Sequence, residues 1–303
     1  MRKTTPAAVV RVAMFAAAVT MAAACDISIG AAEFSVREEK KFAVTGPAQL
    51  ALTTFDGSIE VRGWDRNEVL VEVEKRGPDQ ATVDKIKVNA SQNGNTITLD
   101  VAKPSPLTTT SFQRSPSASL IVSVPMQTAV TARSGDGSIT IRRVNGKVDL
   151  DTDDGSVRVE EVKGDLVVRT GDGSVRARQI DGHAKINTGD GSVGVDGVFG
   201  GLEVETRDGS IEVTARSGSV IESAWSVTTG DGSIRMEVPE GFSAELDAQS
   251  ADGRVRVEKR ADQAPASAER DESGQGSARG KLGAGGKPLK LRSGSGSITV
   301  KSW

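Results

Sequence analysis

A chain of 303 residues has room for one large domain or two ordinary ones. Its 34 glycines, absent tyrosine, single histidine and 3% aromatics argue against a core of large rings and against histidine-based proton transfer; they point to thin layers of Val, Ile and Leu. The 38 basic and 41 acidic residues are mixed along the chain without a basic block, so nucleic acid is not an expected partner.

The N-terminus reads as an export signal. Arg2 and Lys3 precede an apolar stretch from Val12 to Ala24 that closes on Ala22-Ala23-Ala24, the pattern of a charged region, a short apolar region and small residues at a cleavage site. The stretch is too short for a comfortable transmembrane helix. Residues 1–24 are therefore expected to be a signal peptide of lipoprotein type, cleaved before Cys25. Cys25 is the chain's sole cysteine, and acylation would account for an unpaired thiol in an exported protein. The stretch resembles a bacterial lipoprotein signal, although Ala22 replaces the commoner leucine; Asp26 resembles an inner-membrane retention residue. A soluble periplasmic or secreted protein is the alternative. Residues 25–43 are expected to be a tether.

From residue 44 to 303 a repeat dominates. Asp-Gly occurs at Asp136-Gly137, Asp154-Gly155, Asp172-Gly173, Asp190-Gly191 and Asp208-Gly209, always 18 residues apart and always followed by serine. A second glycine series, Gly146, Gly164, Gly182, Gly200 and Gly218, shares the period. Between them lie alternating runs such as Val148, Leu150, Thr152 and Val157, Val159, which read as strand, turn, strand, turn. Both glycine columns are expected at corners, with the Asp-Gly glycines supplying positive φ. A lone coil cannot bury its inward face; coils stacked roughly 4.8 Å apart can.

Further copies lie outside the regular block. One begins at Leu50 and runs through Asp56-Gly57 to Trp64; others follow at Trp225 with Asp231-Gly232, at Leu246 with Asp252-Gly253, and at Leu289 with Ser295-Gly296. These make nine copies, with Trp64 and Trp303 in one seat of the first and last, where their rings would close open ends. Two stretches depart from the pattern. Residues 65–128 hold a strand at Val69 to Val73, a helix after Pro78, a hairpin tipped by Asn93-Gly94, a polar loop and a strand from Leu120 to Val124. Residues 261–287, rich in Ala, Gly, Ser and charge, are expected to be a mobile polar loop.

With its Gly-Asp-Gly-Ser-Val/Ile turns and Val-x-Gly corners, the chain resembles the bacterial β-strand-repeat proteins classed as putative adhesins. That family is a domain of unknown function related in pattern to autotransporter adhesin head domains. The resemblance spans roughly residues 44–303 and implies a single-stranded, right-handed parallel β-helix, an all-β solenoid without established catalytic residues. Similar domains occur in envelope-stress proteins.

The Asp column, Asp231 included, is read as structural: each carboxylate is expected to accept turn amides two residues on, as an Asx-turn, rather than to form a row of calcium sites. The lone His183 reads as an incidental surface residue, since nothing in the sequence frames it as a catalytic base. The threonine column (Thr152, Thr170, Thr188, Thr206) is in phase with the inward Leu and Val and should cap the core beside the turn. Outward seats carry Arg142, Glu160, Arg178 and Asp196, and Asp149, Lys185 and Glu203, a solvated face with cross-rung ion pairs.

The expectation is a non-enzymatic, lipid-anchored envelope module, adhesin-like, that binds a protein or glycan partner, with no metal and no cofactor. The alternatives are a carbohydrate-active enzyme on a β-helix and a calcium-stabilised repeat protein.

Overall fold

A computed structural model describes residues 27–30, 33–103, 115–258, 268–270 and 276–303. The signal peptide and Cys25 lie outside the described residues, as does Asp26. Apart from one short helix, Gln80–Lys85, capped by the Asp79 carboxylate accepting from the Thr82 amide at 2.7 Å, the described secondary structure is all strand.

The period-two alternation becomes burial. In Val148–Thr152 the side chains of Val148, Leu150 and Thr152 are buried, and in Val157–Lys163 those of Val157, Val159 and Val162. Each strand pairs in parallel with the strand one repeat on: Val148 with Leu166, Leu150 with Val168, Val157 with Val175. Two files of parallel strands result, and the same seat recurs vertically, as in Leu150, Val168, Ile186, Val204, Val227 and Leu291. Burying one such side chain contributes about 1.5–3 kcal/mol. Ordering the backbone of each residue costs about 1–2 kcal/mol, and only half the strand residues face inward, so the array holds as a stack and not rung by rung.

The Asp-Gly glycines do form one vertical file, but for a different reason from the expected positive φ. None of Gly137, Gly155, Gly173, Gly191, Gly209 and Gly232 lies in the left-handed region. Their constraint is crowding: a Cβ on Gly155 would stand 2.2 Å from the carbonyl oxygen of Gly137, and one on Gly173 would stand 2.1 Å from that of Gly155. The left-handed conformation appears at the opposite corner, where Arg143, Glu161 and Gln179 have φ of 56°, 57° and 55°. Three residues on, Gly146, Gly164 and Gly182 follow with φ of 157°, 128° and 148°. Gly200 and Gly218 keep the sequence period but leave this file. The pairing shifts so that Ile180 meets Gly197 and His183 meets Gly201, and Gly218 sits in the loop before Trp225.

Chain order and spatial order part company at both ends. The strands Thr96–Ala102 and Ser117–Pro125, inside the 65–128 insertion, build a rung of their own, giving ten rungs among the described residues rather than nine. That rung stacks outside the first copy: Leu50 pairs with Ile97 on one side and Val130 on the other. At the far end Leu289 pairs with Trp225 on one side and Leu246 on the other, so Pro288–Ser293 and Ile298–Ser302 run between rungs that precede them in sequence. The first and last copies are thus interior rungs, and their tryptophans do not close the ends. The Trp64 indole donates to the Glu68 carbonyl at 2.9 Å beneath the Arg66 guanidinium, and Trp303 is 51% exposed.

Antiparallel strands cover the ends instead. Glu68–Gly77 pairs antiparallel with Ser117–Pro125 and, on its other edge, with Glu33–Ala43, so the second half of the expected tether is a cap strand. Gly276–Leu282, within the expected polar loop, pairs antiparallel with Ala244–Ser250. Such pairing covers edges that would otherwise invite aggregation, while Val255–Glu258 pairs only with Ile298–Ser302 among the described residues.

Candidate functional site

Both turn columns can now be assigned. The threonine and serine hydroxyls, buried beside the core as the parity required, link successive turns: Thr170 Oγ1 donates to the Gly155 carbonyl at 3.1 Å and accepts from the Gly173 amide at 3.2 Å. Thr152 does the same with Gly137 and Gly155, and Ser293 with Gly232 and Gly296. A hydroxyl can donate and accept at once, which a carboxylate cannot, so threonine rather than aspartate takes the glycine amide. Asp136, Asp154, Asp172, Asp190, Asp208 and Asp231 stand exposed at the turn. Asp190 accepts from Arg207 at 2.7 Å, and Asp231 from the Ser295 hydroxyl at 2.6 Å. Among the described residues no group of three or more His, Cys, Asp or Glu is arranged to hold a metal ion.

The outward columns are largely ion-paired across rungs. Arg142 bridges Glu60 at 3.3 Å and Glu160 at 3.2 Å, Lys185 meets Glu203 at 2.9 Å, and Asp149 meets Arg169 at 3.0 Å. Asp196 pairs with Arg216 at 2.7 Å rather than with Arg178. The hydrogen bond from Arg62 holds the Glu60 carboxyl below its usual range despite partial burial.

One column differs. Thr140, Arg158, Arg176, Gly194, Glu212, Arg235 and Thr299 occupy a single outward seat, in register from rung to rung. Beside it runs the serine that follows the turn glycine in these seven rungs, from Ser138 to Ser297. Together they line a groove of about 850 Å³ that crosses seven rungs, roughly 30 Å. Arg158 and Arg176 are in register on adjacent rungs, exposed, and make no ion pair among the described residues. The hydroxyls of Ser156, Ser174, Ser192 and Ser210 likewise make no hydrogen bond there. Nothing in the sequence reading singled out this column; the available signal was an arginine two residues after the turn serine in consecutive repeats, Ser156-Val-Arg158 and Ser174-Val-Arg176.

His183, expected to be an incidental surface residue, is instead framed by two carboxylates. Its Nδ1 lies 3.1 Å from Asp165 and its Nε2 3.3 Å from Glu222, the latter on the loop between Ala215 and Trp225. Both ring partners are carboxylates, so the arrangement clamps a loop to a rung and lacks a hydroxyl nucleophile on the ring.

The profile of a family described as Toastrack DUF4097 matches residues 48–301. No curated protein matches the chain. Among solved structures, a putative adhesin from Bacteroides fragilis is 12% identical, with 88% of this chain and 97% of that one aligned at a TM-score of 0.46. A putative lipid binding protein from Parabacteroides distasonis is 13% identical over 87% and 96% of the two chains, at 0.43. A putative cell adhesion protein from Clostridium sporogenes is 10% identical over 88% and 100%, at 0.23.

Proposed function

The chain belongs to the Toastrack DUF4097 family, and from that premise we propose that it is a non-enzymatic interaction module of the cell envelope, exported and held at a membrane by a lipid on Cys25. The observation that carries this reading is the groove from Ser138 to Ser297. It is long and open and is built from the repeat itself, so it suits an extended partner better than a small substrate, which is usually enclosed in a compact pocket. The rod supports it as a rigid base, because every groove residue sits on a strand or at its first turn and each strand is paired on both edges. We further take the coil to be right-handed with 18 residues per turn, the hand that parallel β-to-β crossovers overwhelmingly adopt.

Two measurements test this. Growth with labelled palmitate should tag the wild-type protein and leave Cys25→Ala untagged; an untagged wild type whose mature N-terminus is not Cys25 removes the anchor. Crosslinking in intact envelopes should capture a partner at Arg158 or Arg176 positions carrying a photoreactive residue. A rod that captures nothing there, while turning over a polysaccharide, is an enzyme and not a docking module.

A further inference from the structure

Building on that docking reading, we propose that the Ser138–Ser297 groove binds a linear acidic glycan, with Arg158 and Arg176 holding its carboxylate or sulfate groups and Gly194 providing the notch for a sugar ring.

Three observations converge. First, Arg158 and Arg176 sit in register on adjacent rungs, both exposed and neither ion-paired among the described residues, with the similarly unpaired Arg235 further along the same column, whereas Arg142, Arg169, Lys185, Arg207, Arg216 and Arg292 meet carboxylates. Like charges in adjacent rungs repel, so the fold gains nothing from this pair; an anion lying across both guanidiniums removes the repulsion and receives forked hydrogen bonds. Second, Gly194 is the next residue of the same column. The turn glycines are crowded by backbone and the opposite-corner glycines have positive φ, but Gly194 has neither constraint: a Cβ there would meet nothing within 4 Å. Glycine is therefore dispensable to the rod at this seat, and its effect is a gap in the wall between Arg176 and Glu212. Third, serine hydroxyls without a hydrogen bond among the described residues line the groove once per rung, and in every rung but that of Ser297 an exposed turn aspartate stands two residues before the serine.

That mixture selects the ligand class. Hydroxyls of a sugar donate to Glu212 and the turn aspartates and exchange hydrogen bonds with the serines, while its acid groups meet the arginines. A nucleic acid also presents bases, and the groove offers no aromatic ring on which they stack. A peptide would find neither a free sheet edge nor apolar pockets for its side chains.

The test uses the purified full chain with two labelled probes, a polygalacturonate oligomer and a sulfated galactan oligomer, and neutral dextran as control. Saturable binding of at least one acidic probe and none of dextran is expected. Arg158→Gln with Arg176→Gln should weaken that binding by at least about tenfold, and Gly194→Gln by about fivefold, while Arg169→Gln on the other strand file leaves it unchanged. Circular dichroism confirms that each variant keeps the wild-type fold. Failure of the wild type to bind either acidic probe, or equal binding by the double variant, overturns the glycan site; capture of an envelope partner in the same preparation would leave the docking reading intact. Release of new reducing ends from a probe would instead overturn the non-enzymatic reading.

Discussion

The carbonyl oxygen of Gly137 lies where the next rung leaves no room for a side chain: a Cβ on Gly155 would stand 2.2 Å from it. The oxygen is a backbone atom and the Cβ would be fixed by the backbone that carries it, so neither can swing aside. Gly155→Ala should force the turn apart and destabilise the rod by about 1–3 kcal/mol, the usual cost of overpacking, whereas Gly194→Ala should be neutral or stabilising by up to about 1 kcal/mol. Urea denaturation midpoints of the two variants decide this; equal midpoints would show that the turn yields more easily than its geometry implies.

Thr170 carries two hydrogen bonds with one hydroxyl, to the Gly155 carbonyl and from the Gly173 amide. Thr170→Val keeps the shape and strands both backbone groups, for a loss of about 1–3 kcal/mol; Thr170→Ser keeps the hydroxyl and should cost less. The ordering of the two variants in thermal melts is the informative result.

Glu161 holds a left-handed backbone at φ 57° with an exposed side chain. That conformation costs an L-residue about 1–2 kcal/mol, and glycine avoids it at an entropic cost of about 0.5–1 kcal/mol. Glu161→Gly should therefore raise stability by about 0.5–1 kcal/mol, visible as a higher melting temperature.

Asp247 and Arg292 join the two rungs at the distal end: Arg292 donates to the Asp247 carboxylate at 2.5 Å and to its backbone carbonyl at 2.6 Å, and Arg279 adds a bond at 3.3 Å. Partial burial pushes the Asp247 carboxyl up, but the two arginines outweigh it and hold the group below its usual value. A depressed carboxyl stabilises the fold above the unfolded-state value of about 3.9, and that contribution is lost as pH falls through the lower folded-state value. Asp247→Asn should thus flatten the acid limb of the stability curve below about pH 4. Parallel acid titrations of the two proteins, followed by circular dichroism, would expose any failure of this assignment.

Much of the rod was legible because burial with a period of two and glycines with a period of 18 each have one physical solution. Val148, Leu150 and Thr152 face inward for the reason their alternation gave. What escaped was whatever the period does not encode. Matching seats say which residues are equivalent, not which rungs touch, so Leu289 was placed beyond Leu246 rather than between it and Trp225. Asp-Gly pointed to a φ-driven turn because that is glycine's commonest use, whereas crowding between stacked carbonyls is invisible until the rungs are superposed. The framing of His183 depends on Glu222, in a loop that breaks the repeat. The groove depends on vertical neighbours, Arg158 and Arg176, that are eighteen positions apart and individually unremarkable.

The interleaved C-terminal copy also sets a clock on assembly. As the polypeptide emerges, Trp225–Thr229 and Ala244–Ser250 are made before the strand that belongs between them, Pro288–Ser293. A solenoid whose rungs follow chain order could zip up as it is synthesised; here the distal end has to wait, holding two unpaired edges apart until Pro288–Ser293 slots in. Translation halted after Glu258 would leave a nascent chain whose proximal rungs are finished and whose tip is still searching for its neighbour.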